Sequence, residues 1–515
     1  DTTIQSNQSD NGGGISVGEK AVAPAPSQVT ITGTKILDNK GTLGGGAYIS
    51  NCATAALTNC TVAGNKATLQ GGGICSYLGI ITLNNVTVER NEASDATNSI
   101  GGGVYLLGNQ SSAGSLTLEN GTAIQNNSAV VNGGGIYLQG KVSLRSDGTE
   151  DRKISIANNT ATNGGGIFAT PWPPAEVPYT LNLALTSTDI LNNSATNGGG
   201  MYLLNSGNAT IQAELQNSSI DGNSATSWGG GIFAYAGATI TANHTSISKN
   251  TAATAGGLLL WEGCSAALSN NSEVCGNTAT DGGGVYMLSN STLTMEKSLA
   301  NGNTATSSGG GLFADSTSTS QLAGGDVYNN HAGTAGDDLY LLGTANGTTI
   351  LRAVDTNWFL SDCGHNIDGW YLDGKDARWN ADTANAETYY VTNLENQVDG
   401  TSIVKNADGT YTLTSPIALK AAHGLSGYTV RYLEKDTNKE LHEAKRVENQ
   451  PLGTEVTESA VDISGYDQVA PTQVSITLSA DSEKNVITFY YTLHRSSGGS
   501  TSTPEPEQKP DPTPT

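Results

Sequence analysis

The stretch that decides the fold is Asn193-Ser194-Ala195-Thr196-Asn197-Gly198-Gly199-Gly200-Met201-Tyr202-Leu203-Leu204. An asparagine opens it, a glycine triplet bends it, and an aliphatic-aromatic-aliphatic strand closes it. The same order returns with Asn159 before Gly164, Asn223 before Gly229, Asn277 before Gly282 and Asn303 before Gly309. Triplets also begin at Gly12, Gly44, Gly71, Gly101 and Gly133, with a reduced Ala255-Gly256-Gly257 and a final Ala335-Gly336-Asp337-Asp338. The period is about thirty residues, and self-similarity at that spacing means stacked units, none of which buries its apolar face alone.

Each unit also carries a second alternating stretch, such as Ile81-Thr82-Leu83, Leu116-Thr117-Leu118 or Ile154-Ser155-Ile156. Glycine and asparagine take positive φ most readily, so they suit sharp corners between short strands. A propeller blade needs about 40 residues and four strands, more than one unit supplies. The pattern therefore predicts an all-β chain whose residues 1–342 form a right-handed parallel β-helix of about 11–12 coils. Strands about 4.8 Å apart make that a rod on the order of 50–60 Å long. Asn65, Asn91, Asn127, Asn159, Asn193, Asn223, Asn250, Asn277, Asn303 and Asn330 should stack as an amide ladder.

Alternate side chains of a strand point to opposite faces. The first and third residues after each triplet are small or aliphatic and belong to the core. The second reads Tyr48, Cys75, Tyr105, Tyr137, Phe168, Tyr202, Phe233, Leu259, Tyr286, Phe313 and Tyr340, so the outward face should carry a column of rings, with Tyr77, Tyr235 and Trp261 beside it. Contiguous exposed apolar surface marks interaction sites, and rigid amphipathic rings suit sugars or protein loops. The candidate ligand-binding residues are Tyr77, Tyr105, Tyr137, Tyr202, Phe233, Tyr235, Trp261 and Tyr286. Two other readings compete: the rings stabilise successive coils through cross-strand pairs, or a segment outside the repeat covers them.

A net charge of -23 without any basic cluster argues against nucleic acid as a partner. No apolar run approaches the 18 or so residues of a membrane span, so membrane insertion is not expected. The polar start Asp1-Thr2-Thr3 lacks the basic and apolar regions of a signal peptide, and the chain reads as a mature segment of something longer. Cys52 with Cys60, and Cys264 with Cys275, can close local disulfides or stand as free thiols packed in their coils. His244, His331 and His365 show no metal-ligand spacing, and no cofactor or metal is expected.

After Tyr340 the period breaks. Residues 343–426 hold Trp358, Trp370, Trp379, Tyr371, Tyr389 and Tyr390, which fits a cap over the open end of a β-helix. A hairpin is expected at residues 402–413, turning on Asp408-Gly409. Residues 427–493 read as a small β-rich domain. Residues 494–515, ending Pro510-Asp511-Pro512-Thr513-Pro514-Thr515, read as an extended spacer.

Two resemblances become specific at this point. Tyr428-Thr429-Val430-Arg431-Tyr432-Leu433, then Ile463-Ser464-Gly465-Tyr466 and the closing Val486-Ile487-Thr488-Phe489-Tyr490-Tyr491, resemble the mucin-binding protein repeat of Gram-positive surface proteins. The departure is Thr437-Asn438-Lys439 where that repeat has a glycine in its first turn. The upstream coils resemble the repeats of polymorphic outer-membrane and adhesin-like β-helix proteins. Together these imply an extracellular, cell-wall-attached adhesin with a β-grasp-like module. Its partner would be a host or neighbouring-cell glycan or a glycoprotein such as mucin. Oligomeric state is left open.

Parallel β-helices also carry polysaccharide hydrolases and lyases, and an enzyme is the competing class. Gly336-Asp337-Asp338 resembles part of a polygalacturonase motif, which makes Asp337 and Asp338 the acids to test. That family's Asn-Thr-Asp, Gly-His-Gly and Arg-x-Lys are missing, Gly364-His365-Asn366 being only a fragment. The alternative is that both aspartates replace glycines in the last coil turn, where solvation at the rod's end permits charge.

Overall fold

A computed structural model of the chain describes residues 2–18, 27–51, 53–171, 178–342, 347–355, 357–361, 366–374, 394, 403–414, 416–479 and 482–494. It forms two compact units, one ending at His423 and one starting at Gly424.

The first unit is a parallel β-solenoid of about twelve coils. One coil shows the rest. Ile74–Tyr77, Ile80–Asn84, Thr87–Glu89 and Glu92–Ala93 run as four short strands. Each pairs in parallel with its counterparts one coil below and one above, as Ile74 does with Ala47 and Val104. The corners at Leu78, Asn85 and Arg90 all have positive φ. Val104 and Leu106, the first and third residues after a triplet, face the same core as Ile81, Leu83 and Val88.

Steric contacts explain why three glycines recur. Gly101 has φ of 67°, and a Cβ there would lie 2.8 Å from the Cβ of Tyr105. At Gly102 it would meet the Ser128 carbonyl oxygen of the next coil at 2.3 Å, and at Gly103 the Gly135 carbonyl oxygen at 2.6 Å. The backbone therefore folds tightly onto its own ring residue and onto the coil above.

The amide ladder forms as the spacing predicts, and it extends to Asn39 and Asn7. At every rung the backbone N–H and the Nδ2 of one asparagine donate to the Oδ1 of the next. Asn193 gives 2.9 and 3.0 Å to Asn223, which gives the same to Asn250. Nδ2 also donates to a carbonyl of the preceding coil, Asn223 to Ile190 at 2.9 Å. From Asn39 to Asn330 these amides are enclosed, so each would be costly to leave unpaired.

The ladder ends on Asp338, and here the expectation of solvated end charges fails. Asp337 and Asp338 are buried. Asp338 Oδ1 accepts from the backbone N–H and the Nδ2 of Asn330 at 3.0 and 2.9 Å, as an asparagine of a further coil would. Its Oδ2 accepts from the Ala421 N–H at 2.8 Å. Asp337 Oδ1 takes the Ala332 N–H at 2.7 Å, a bond that lower coils make to a neighbour's carbonyl, as Ala225 does to Thr251. Its Oδ2 lies 2.8 Å from Lys420 Nζ. The two carboxylates thus stand in for a coil that is not there.

Antiparallel strands then close the end. Ile417–Ala422 pairs with Leu339–Leu341 and with Gly369–Leu372, while Tyr411–Leu413 pairs with Thr349–Leu351 and Ile403–Lys405. Thr349–Leu351 itself still runs parallel to the coil below, so the solenoid continues past the expected limit at residue 342. Trp358, Trp370 and Tyr371 are buried in this cap, with Trp358 stacked on Tyr328 at 4.9 Å. Trp379, Tyr389, Tyr390, Gly364, His365 and residues 495–515 lie outside the described residues.

The second unit holds a four-stranded sheet in the order Glu440–Pro451, Leu425–Glu434, Val486–Leu493, Tyr466–Gln468. Its central pair is parallel and its outer pairs are antiparallel. Glu455–Ser459 and Gln473–Thr477 form a separate two-stranded antiparallel sheet. Val430, Tyr432, Ile487, Phe489 and Tyr491 make its core. The thiols of Cys60, Cys75, Cys264 and Cys275 are free, so Cys264 and Cys275 form no disulfide, while Cys52, the expected partner of Cys60, lies outside the described residues.

Candidate functional site

The ring column exists, but most of it does not face solvent. Tyr105 and Phe233 are 1% exposed, and Tyr137 and Phe168 are also buried. These correct the expectation of an outward-facing ladder. The alternation argument does send the second residue after each triplet away from the main core. However, the chain entering the triplet returns over it, and residues such as Leu43, Ile100 and Leu107 pack on the rings. The cover is part of the repeat, not a segment outside it.

Within this second, narrower core the rings pair from coil to coil. Tyr137 and Phe168 stack at 5.1 Å and 6°, Tyr202 and Phe233 at 4.5 Å and 11°, Tyr286 and Phe313 at 4.3 Å and 13°. Each such pair is worth about 0.5–1.5 kcal/mol beyond the area it buries. Two of the phenols bond within the column: Tyr105 donates to Gln139 Oε1 at 2.7 Å, and Tyr77 to Gln70 Oε1. Burial pushes the Tyr77, Tyr202 and Tyr286 phenols up to about 12 and raises Tyr105 and Tyr137 further in the same direction. Tyr77, Tyr105, Tyr137, Tyr202 and Phe233 thus form structural columns, of which Tyr77 and Tyr202 keep half-exposed edges.

The column is interrupted at Cys75, between Tyr48 and Tyr105, and again where Leu259 takes the ring position between Phe233 and Tyr286. Here aromatic surface reaches solvent. Trp228, in the segment entering its triplet, is 40% exposed. Its ring meets Trp261 edge-to-face at 5.3 Å and 83°, and meets Phe233 at 5.9 Å and 79°. Tyr235 contacts the other side of the cluster, 5.5 Å and 89° from Trp261, and donates its hydroxyl to Glu262 Oε1 at 2.8 Å. That hydrogen bond is the first cause of the raised Tyr235 pKa. The structure therefore brings Tyr235 and Trp261 together, and it adds Trp228, which sequence reasoning missed. The available signal was an aromatic immediately before a triplet, where other coils carry Asn132, Asn163, Asn197 or Thr254.

The Oδ1 atoms of Asp337 and Asp338 accept from the last coil and their Oδ2 atoms meet the cap, so all four oxygens serve internal contacts. Among the described residues no group of three or more His, Cys, Asp or Glu is placed to hold a metal ion. Among the described residues no helix is long and apolar enough to cross a membrane.

The fold and surface define a repeat protein with a parallel β-solenoid and a partly exposed aromatic seam. A family profile for the Chlamydia polymorphic membrane protein repeat matches residues 217–235. That span runs from the Asn217 corner through the ladder residue Asn223 and the triplet to Tyr235, so the similarity lies in the coil-forming residues themselves. No curated protein matches the chain.

Proposed function

We propose that the chain is the extracellular, non-catalytic part of a surface adhesin that binds glycans or glycoproteins of a host or neighbouring cell. The observation that carries the reading is the partly exposed cluster of Trp228, Tyr235 and Trp261, in which Trp228 is the most open to solvent. Exposed contiguous aromatic surface on a rigid support is where recognition concentrates. The repeat similarity at residues 217–235 supports display at an outer surface.

The finer attribution is to a Gram-positive cell-wall protein. Residues 427–493 act in it as a mucin-binding, β-grasp-like module, and residues 494–515 as a wall spacer. The motifs quoted above support this, as does a mixed sheet in which Leu425–Glu434 lies between Glu440–Pro451 and Val486–Leu493. The non-catalytic assignment is supported by Asp337 and Asp338, whose oxygens serve internal hydrogen bonds and Lys420. The test is retention of the purified chain on immobilised mucin glycoproteins and a glycan array, with polysaccharides incubated in parallel. Absence of binding to every glycan and glycoprotein refutes adhesion, and release of reducing ends or unsaturated products establishes the enzyme instead.

A further inference from the structure

We infer that Trp228, Tyr235 and Trp261, with the Glu262 carboxylate, form a platform for an uncharged hexose of a glycan chain and turn away sialylated or sulfated sugars. This rests on the adhesin reading and deepens it to a ligand class.

The fold does not require these residues. Backbone pairing at the Trp228 position is met elsewhere by Ile100, Asn163, Thr254 and Asp281. The positive-φ corner that Glu262 occupies is taken in other coils by Asn51, Leu78, Ala236 and Ser289. A carboxylate at this corner is therefore not a demand of the turn, yet it is held at the ring edge by the Tyr235 hydroxyl, 2.8 Å away.

The geometry suits a pyranose. Such a sugar presents an apolar C–H face and a rim of hydroxyl donors. An exposed indole takes the first, and an ionised carboxylate, with only acceptor sites, takes the second. Edge-to-face contacts of Trp228 and Tyr235 with Trp261 fix the indole before any ligand arrives, so little ordering entropy is lost on binding.

Charge selects within that class. From residue 198 to residue 288 the only lysine or arginine is Lys249, and it pairs with Asp221 at 3.2 Å. Glu262 lies at the cluster, and Asp281 is close enough to raise the Tyr286 pKa. An anionic sugar would find no cation here and at least one carboxylate, and like-charge contact is a specificity device.

The experiment uses the intact chain on an array carrying the same galactose- and N-acetylglucosamine-terminated glycans in neutral, sialylated and sulfated forms. Neutral glycans should be retained at least about tenfold better than their anionic forms. Trp228→Ala and Trp261→Ala should each weaken that binding about tenfold or more, and Trp228→Ala, the more exposed of the two, should do so with circular dichroism melting unchanged. Glu262→Gln should narrow the gap between neutral and anionic forms. Preference for the sialylated forms overturns the ligand class. Neutral-glycan binding untouched by either tryptophan change overturns the site while leaving adhesion standing. Binding only to a deglycosylated protein overturns the hexose assignment in favour of a protein partner. Loss of all binding in the wild-type chain fails the adhesin reading itself.

Discussion

Replacing one mid-ladder asparagine tests what holds the coils in register. In Asn223→Ala, the Asn193 N–H loses its acceptor and the Ile190 carbonyl loses the Nδ2 donor, both inside the solenoid. Each buried polar group left unpaired costs about 1–3 kcal/mol, so the change should cost about 2–6 kcal/mol. Coils interact with nearest neighbours, so the damage should stay local and a whole-chain melting curve is a blunt readout. Amide hydrogen exchange is the better assay. The Asn193 and Ser194 amides should open at least about thirty-fold faster, the equivalent of about 2 kcal/mol, while those near Asn65 stay unchanged. Asn223→Asp sharpens the test. It keeps the acceptor for Asn193 but turns a second oxygen toward Ile190 O and Asn250 Oδ1, two acceptors. It should therefore be worse than alanine at pH 8 and recover as the pH falls and the acid takes a proton. An exchange change below about threefold for alanine, or aspartate tolerated at pH 8, would refute the ladder as the source of register.

The enclosed and the partly exposed rings should behave differently: by amide exchange in their coil, Phe233→Ala should cost about 3–5 kcal/mol and Tyr235→Ala clearly less, about 1 kcal/mol. Asp338 should make the cap pH-sensitive. Burial outweighs its three N–H donors and lifts its folded-state pKa from 3.8 to about 7. The stability gained by holding that proton is fully present below about 3.8 and is lost as pH rises through about 7. Exchange of the amides in Ile417–Ala422, corrected for intrinsic rates, should therefore accelerate between pH 6 and 8, and this step should vanish in Asp338→Asn. Thiol labelling should reach Cys275, which is partly exposed, in the native chain. Cys75 and Cys264 should react only after unfolding, since both are enclosed and burial raises both thiol pKa values.

Most of the solenoid was legible in residues 193–204 because the repeat encodes its own contacts. The triplet marks where a Cβ would strike the next coil, and the ladder asparagine marks where that coil's amide stands. The state of the rings was not legible by the same route. Alternation reports which side of a strand a residue takes, and Tyr105 is indeed outside the main core. It does not report that the chain, approaching Gly101, comes back over that side. Trp228 escaped notice for a related reason. It belongs to no strand pattern of the triplet, and only folding places it against Trp261, a residue of the following coil.

The final Gly336-Asp337-Asp338 shows how a repeat specifies its own end. The ladder is directional, since every asparagine donates toward the following coil and accepts from the preceding one. An open end facing the carboxyl terminus would leave the N–H of Asn330 unpaired and take one acceptor from its Nδ2, and a further amide would only pass the need along. A carboxylate accepts without donating, so it can end the series. The positions are set by the triplet. Its third glycine elsewhere packs against the next coil's asparagine, with a Cβ of Gly311 placed 2.8 Å from Asn330 Nδ2. Where no further coil follows, that space is open to a side chain, and Asp338 fills it. Asp337 does the same at the second position for the Ala332 N–H. The outer oxygens then draw in the Ala421 N–H and Lys420, so the residues that end the parallel stack also fasten the antiparallel strands that cover it.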